Sequence, residues 1–223
     1  MIVSDCFGEC LLHQSSLVDV IEARDRFLRP GGFMFPDLAS LYITAIDTDQ
    51  EGFLSFWDSL YGVNMKTMAA KEQQDVQRQL VDMSKVMTNQ CLLKEIDLNT
   101  VKREDLQCIV PFQLSITKKG YIRRVALHYS IRFTRGLKRI KFSSGVDAQD
   151  SGLMQTVLML KDYLICNVGD ELLGVIQLKP SDQTLEMKLH VELKVRSITG
   201  SSLELHISSR ARFLKPSKTW SLC

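Results

Sequence analysis

The period of the apolar positions changes several times along the chain. Met1 to Ser4 form a short apolar or small run with no turn, cap or partner strand before it, and they read as the end of a strand. From Leu11 to Leu28 the apolar residues Leu17, Val20, Ile21, Phe27 and Leu28 recur at helical spacing. Arg29-Pro30-Gly31-Gly32 then supplies a helix stop. Strand, turn and helix in that order make an α/β unit, and ligands of such sheets gather beyond the carboxyl ends of the strands. Asp5 would lie at that place.

After "GGFMFPD" the segment "LASLYITAI" is strand-like. Next, Phe53, Phe56, Trp57, Leu60, Tyr61, Met65 and Met68 follow a 3.6-residue period, which predicts a helix, or two short ones broken near Tyr61-Gly62. Its aromatic and methionine face suits either its own domain's core or a partner surface. "KEQQDVQRQ", polar and free of Gly and Pro, predicts a solvated extension of that helix. From there the chain turns β-rich. In "YIRRVALHYSIRF" alternation places Tyr121, Arg123, Val125, Leu127, Tyr129, Ile131 and Phe133 on one face. In "LEMKLHVELKVR" Leu185, Met187, Leu189, Val191, Leu193 and Val195 alternate with polar residues, and "SITGSS" turns the chain into a last hairpin strand. Half-buried antiparallel strands of this kind build a barrel or sandwich. The expected fold class is therefore α+β: the end of an α/β domain, a helical arm and an antiparallel β-barrel.

Composition narrows this picture without redirecting it. At 223 residues, with 45% apolar and 24% charged residues and a net charge of +2, the chain can bury a core and bulk charge does not call for nucleic acid. Locally the balance differs. Between Lys118 and Lys141 every charged residue is basic: Lys118, Lys119, Arg123, Arg124, Arg132, Arg135, Lys138, Arg139 and Lys141. Protection and solvation of exposed strands is the first explanation, and an acidic or RNA surface the second. Cys6, Cys10, Cys91, Cys108, Cys166 and Cys223 lack the spacing of a zinc ribbon or a disulfide framework and read as reduced. Cys6, Cys10 and His13 fall one ligand short of a metal site, so no metal is expected. Asp5 and Glu9 interrupt the apolar start that a signal peptide needs, and no run reaches membrane-spanning length. The cytoplasm, with the nucleus as a further compartment, is the expected location, and no membrane partner is expected.

"SDCFGECLLHQSSLVDVIEARDRFLRPGGFMFPD" resembles the protein arginine methyltransferase family, of the type I kind, in which S-E-x-x-G, then E-S-M, then A-R-D-x-x-L-x-P-G-G-x-x-x-P follow one another. Ser4, Gly8, Leu11, Leu12, Ser15, Ala23, Arg24, Asp25, Leu28, Pro30, Gly31, Gly32 and Pro36 match. "FWDSLYGVNM" resembles the family's dimerisation arm, and later segments resemble its barrel strands. The resemblance implies a methyltransferase domain ending at residues 1–36, a barrel over 37–223 and an arm at about 51–80. It also implies that the cofactor-binding half should precede Met1, so that this chain alone binds no S-adenosylmethionine.

In the family two carboxylates clamp the guanidinium and leave one nitrogen directed at the sulfonium methyl, so that positioning and electrostatics carry the reaction. At the matching positions this chain has Asp5, shorter by a methylene, and Gln14, neutral and carrying its own N–H donors. The methionine after the second acid is Ser16, and an aromatic pair near the first acid is replaced by Cys6 and Glu9. Where the family carries a Thr-His-Trp substrate loop the chain has Ser151, Gly152 and Leu153. A degraded site on a kept scaffold is similar to the trypanosomatid arginine methyltransferase prozymes. The expectation is a chain inactive on its own, acting in a hetero-oligomer with an active paralogue. That paralogue would hold S-adenosylmethionine and take Arg/Gly-rich protein substrates, and it would be met through Phe53, Phe56, Trp57, Leu60, Tyr61 and Met65. The alternative is part of an active methyltransferase whose cofactor domain lies upstream.

Overall fold

The computed structural model describes residues 1–13, 16–47, 61–63, 76–146, 148, 153–180, 185–194 and 204–212. The chain opens with a small βαβ unit. Strand β1 (Ile2–Val3) pairs in parallel with β2 (Met34–Phe35), joined through helix α1 (Leu17–Phe27). Parallel neighbours need a crossover of this length. Arg29, Pro30, Gly31 and Gly32 close the helix exit as a tight turn, with Gly32 N–H donating to Arg29 O at 2.9 Å and Gly31 at φ +76°. Proline at the second position and a left-handed glycine at the third are the residues that a type II turn requires. One expectation for the helix fails: Phe27 is exposed, and its ring lies beneath the Arg26 guanidinium instead of in the core.

Two antiparallel sheets follow. The larger contains β3 (Leu38–Asp47), β4 (Gln77–Gln79), β5 (Cys91–Asp97), β7 (Gly120–Phe133), β8 (Ile140–Ser143) and β9 (Gln155–Cys166), in the order β4-β9-β7-β3-β5 with β8 on the far end of β7. The smaller is β12-β11-β10-β6, from β6 (Cys108–Ser115), β10 (Glu171–Pro180), β11 (Leu185–Lys194) and β12 (Glu204–Arg212). At the seams β5 runs beside β6 and β12 beside β9, but among the described residues no ladder crosses either seam. Among the described residues the strands expected in the barrel thus fall into two sheets. In β6 and β10 the alternation is clean: Phe112, Leu114, Leu172, Ile176 and Leu178 point in, while Ile109, Pro111 and Val175 point out.

One core cluster joins the parts, with Leu11, Leu12, Leu17, Ile21 and Met34 of the βαβ unit packed with Leu41, Ile43, Leu114, Leu127, Leu172 and Ile176 of the sheets. A smaller cluster, Ile46, Val81, Ala126, Val146 and Val157, covers the other face of the larger sheet. Strand β7 is therefore buried on both faces over Val125 to His128.

The structure corrects three sequence expectations. The β7 alternation slips at a register irregularity between Ile122 and Arg124, so Ile122 and Val125 are both buried while Tyr121 is exposed. An extra residue in one strand shifts all side chains beyond it by one face. Gln77, Arg78 and Gln79, expected in a helix, form β4 against Val157, Thr156 and Gln155. The basic residues Arg123 and Arg124 lie on a strand flanked on both sides, not on an edge. Of the arm, Phe53, Phe56, Trp57, Leu60 and Met65 lie outside the described residues. Tyr61 (φ +53°) and Gly62 (φ +79°) are left-handed, a conformation that interrupts a right-handed helix at the break read from the sequence. The β11 side chains expected to face inward, and Val195, lie outside what is described. Among the described residues no helix is long and apolar enough to cross a membrane.

Candidate functional site

The loop between β1 and α1 carries the positions that the sequence singles out. Parallel pairing of β1, with Ile2 N–H donating to Phe33 O and Ser4 N–H to Phe35 O at 2.9 Å each, directs Asp5 off the carboxyl end of the strand, where it is exposed. The chain then folds back on itself as a tight hairpin: Gly8 N–H donates to Leu11 O at 3.3 Å, His13 N–H to Glu9 O at 2.9 Å and Leu12 N–H to Cys10 O at 2.8 Å. Cys10 (φ +51°) and Leu11 (φ +65°) are consecutive left-handed residues. Such backbone costs about 1–3 kcal/mol per residue and persists only where surrounding packing over-determines it. Here that packing is visible, since Cys10, Leu11 and Leu12 are all buried in the main core. Gln14 and Ser15 lie outside the described residues. Ser16 holds the N-cap position of α1 without a side-chain hydrogen bond to it.

The loop faces two strands. Glu9 forms an ion pair with Arg78 of β4 at 2.8 Å, which occupies the one carboxylate on the tip of the hairpin. Tyr129 of β7 faces the same loop: its phenol is pushed up first by burial, and then by the nearby carboxylates of Asp5 and Glu9. His13, buried, is held below its ordinary value chiefly by burial, with Glu9 opposing that effect and Arg78 reinforcing it. Burial pushes up the Cys6 and Cys10 thiols, which behave as small core hydrophobes and not as thiolate ligands. Among the described residues no group of three or more His, Cys, Asp or Glu side chains could hold a metal.

The far end of α1 is fastened to the sheets. Buried Arg24, one of the matched motif residues, donates from Nη1 to Leu98 O at 2.8 Å and pairs with Asp25 at 2.7 Å. Asp37, buried at the start of β3, accepts from Thr134 N–H at 2.7 Å and from the Thr134 hydroxyl. The helix and the start of β3, both of which follow the clamp loop, are thus fastened to the sheets. Of the expected substrate-loop residues, Leu153 is half-buried, and Ser151 and Gly152 lie outside the described residues. A separate cavity of about 220 Å³, lined by Thr44, Met83, Val86, Thr88, Gln90, His128 and Val146, receives no side chain from the described residues of the clamp loop.

Chemically the arrangement offers one exposed carboxylate, Asp5, to a guanidinium. The second carboxylate on the loop, Glu9, is already paired. Sequence reasoning overlooked Arg78, because its polar stretch reads as helix, and it overlooked the role of Tyr129, whose neighbours come from residues 5–10. The A-R-D motif did carry a signal for Arg24.

The family model described as arginine methyltransferase oligomerization subdomain matches residues 37–197. The chain is 39% identical over 184 residues to protein arginine N-methyltransferase 8-B of Danio rerio, covering 82% of this chain and 44% of that protein. It is 37% identical over 199 residues to protein arginine N-methyltransferase 1 of Caenorhabditis elegans, covering 87% and 57%. The chain therefore spans about half the length of these relatives. Among solved structures it is similar to the Trypanosoma brucei PRMT1 enzyme-prozyme heterotetrameric complex with AdoHcy, with a TM-score of 0.84 and 25% identity over 96% of this chain and 68% of that one. Protein arginine methyltransferase 10 of Arabidopsis thaliana shares the fold, with a TM-score of 0.78 at 19% identity. The subdomain match over most of the chain and the two curated relatives establish that this chain belongs to the protein arginine methyltransferase family.

Proposed function

We propose that the chain is a non-catalytic regulatory subunit that binds an active arginine methyltransferase and supports its activity. The observation that carries this reading is the state of the clamp loop: its exposed acid is the shortened Asp5, while Glu9 is engaged by Arg78. Asp5 alone can accept two N–H groups of a guanidinium, but it cannot grip the fork from both sides, and localisation of charge on the far nitrogens is lost. The sequence at position 14, a glutamine, points the same way, as does Ser151-Gly152-Leu153 in place of a histidine-bearing loop. In this reading residues 1–36 are the tail of a methyltransferase domain, the Phe53–Met65 segment docks on the partner, and the partner supplies S-adenosylmethionine and receives Arg/Gly-rich proteins. The complex acts in the cytoplasm or nucleus. The likeness to a chain of an enzyme-prozyme complex supports the hetero-oligomer, and the match to an oligomerization subdomain supports assembly with a family member.

The test is co-purification with the active methyltransferase of the same organism and measurement of methyl transfer by each chain and by the mixture. Activity only in the mixture, lost on Trp57→Ala and unaffected by Asp5→Ala, is the expected result. Methyl transfer by this chain alone overturns it.

One observation favours a second reading, part of an active methyltransferase with its cofactor domain upstream. Identity to the two animal methyltransferases, 39% and 37%, exceeds the 25% to the trypanosome complex. If that reading holds, Asp5→Glu with Gln14→Glu raises methyl transfer by the full-length protein.

A further inference from the structure

The basic run between Lys118 and Lys141 divides into two parts. On β7 and in the bend before it the cations have structural partners: Lys118 Nζ donates to Ser84 O at 2.9 Å, Arg123 Nε to Leu160 O at 3.4 Å and Arg124 Nη2 to Asp47 O at 3.5 Å, while Arg132 pairs with Glu95. On the β7–β8 hairpin Arg135, Lys138, Arg139 and Lys141 are exposed, with no ion pair among the described residues. Residues 120 to 146 contain no acid, and the nearby carboxylates are engaged: Asp37 is buried beneath Thr134, and Glu95 holds Arg132.

The same hairpin presents apolar side chains outward. Leu137, at its apex, is fully exposed, and Ile140 and Phe142 are about half exposed. Phe142 meets Phe133 edge-on at 6.0 Å, and Phe133 continues through Phe35, at 6.4 Å, to Phe33, itself half exposed. An apolar strip therefore ends in an aliphatic apex ringed by four unopposed cations. A nucleic-acid surface would offer flat faces for base stacking, but the apex residues are aliphatic and Phe142 already uses its ring against Phe133. A mixture of aliphatic apex and flanking Lys/Arg matches the boundary of an anionic bilayer, where cations meet headgroups and apolar groups enter the acyl edge.

We propose that the Arg135–Phe142 hairpin is a peripheral docking surface for an anionic lipid bilayer, with Leu137 and Ile140 entering the interface and Arg135, Lys138, Arg139 and Lys141 meeting the headgroups. This goes beyond the expectation of no membrane partner, which rested on the interrupted signal-peptide start and the lack of a membrane-spanning run, and it does not depend on whether the chain is catalytic.

The experiment is co-sedimentation of the full chain with phosphatidylcholine vesicles with and without phosphatidylserine, beside a fluorescence titration with a single-stranded RNA oligonucleotide. The expected result is binding that requires phosphatidylserine and weakens with added salt. Each cation near the surface is worth about fivefold, so Lys138→Ala with Arg139→Ala loses about twenty-five-fold. Leu137→Ser, which removes apolar area and no charge, loses about tenfold. The substituted residues are exposed, so unchanged thermal melting separates lost binding from lost fold. Equal sedimentation with both vesicle types, binding unchanged by both sets of substitutions, or tight RNA binding without vesicle binding each overturns the proposal.

Discussion

The guanidinium of Arg78 lies 2.8 Å from the carboxylate of Glu9, joining strand β4 to the hairpin that carries the clamp positions. With Arg78 largely exposed, the pair contributes less than about 1 kcal/mol. Its electrostatic reach is easier to detect. Arg78 lowers the His13 pKa, so Arg78→Ala raises it, while melting changes little. Proton NMR titration of the His13 ring checks this, and a downward shift would contradict the placement of Arg78.

The same histidine gives the chain an acid-side weakness. Its folded pKa is below the ordinary 6.5, so the fold favours the neutral ring. That contribution is complete above pH of about 6.5 and is lost as pH falls through the lowered value. On the alkaline side the Cys166 thiol is pushed up from 9.0 to about 11, mainly by burial. Its contribution is present below pH 9 and is lost as pH rises towards 11, because the unfolded chain ionises first. Urea unfolding midpoints across pH should fall at both ends, and Cys166→Ala should flatten the alkaline limb.

Arg24 carries a larger share of stability. Its bond to Leu98 O spans 74 residues of sequence and is buried, and hydrogen bonds to charged groups contribute about 1.5–3 kcal/mol. Arg24→Met should lower the stability of the chain by roughly that amount in urea denaturation. A loss below the error of the measurement would mean that α1 is not fastened through this residue.

The turn after α1 offers a backbone test. Gly31 sits at φ +76° with open space around its α-carbon, so the cost of Gly31→Ala is conformational, about 1–2 kcal/mol. At Gly32 a β-carbon would come within 2.9 Å of Arg29 O and 2.6 Å of Leu28 Cδ1, so Gly32→Ala fails through contact instead. Both variants should melt below the parent, with Gly32→Ala the lower.

How much of this was legible in the sequence depended on what each segment asked of its neighbours. Residues 38–47 become a strand as their run suggests, because a strand buried on both faces writes its burial into its own apolar pattern. The phase of β7 was not legible, since one extra residue at Ile122–Arg124 exchanges the two faces and leaves composition unchanged. β4 was not legible either. Three polar residues, Gln77 to Gln79, become a strand only because β9 lies beside them. At the site, the order of Asp5, Gly8 and the A-R-D motif located the loop, but the Glu9–Arg78 pair depends on two segments meeting in space, and neither carries a mark of the other.

Strand β3 pairs with β7 along its whole length and with β5 over Leu38 to Ile43, and both partners lie far downstream of it in the chain. The ends of the segment between β3 and β4 are therefore held by ladders that do not include it. Closing a longer loop between fixed ends costs only about 0.6 kcal/mol per doubling of length. The register of β3 against β5 and β7 is therefore set independently of the length of the 48–75 connection. In the proposed reading, the surface that selects a partner and the scaffold that presents it are then free to diverge at different rates.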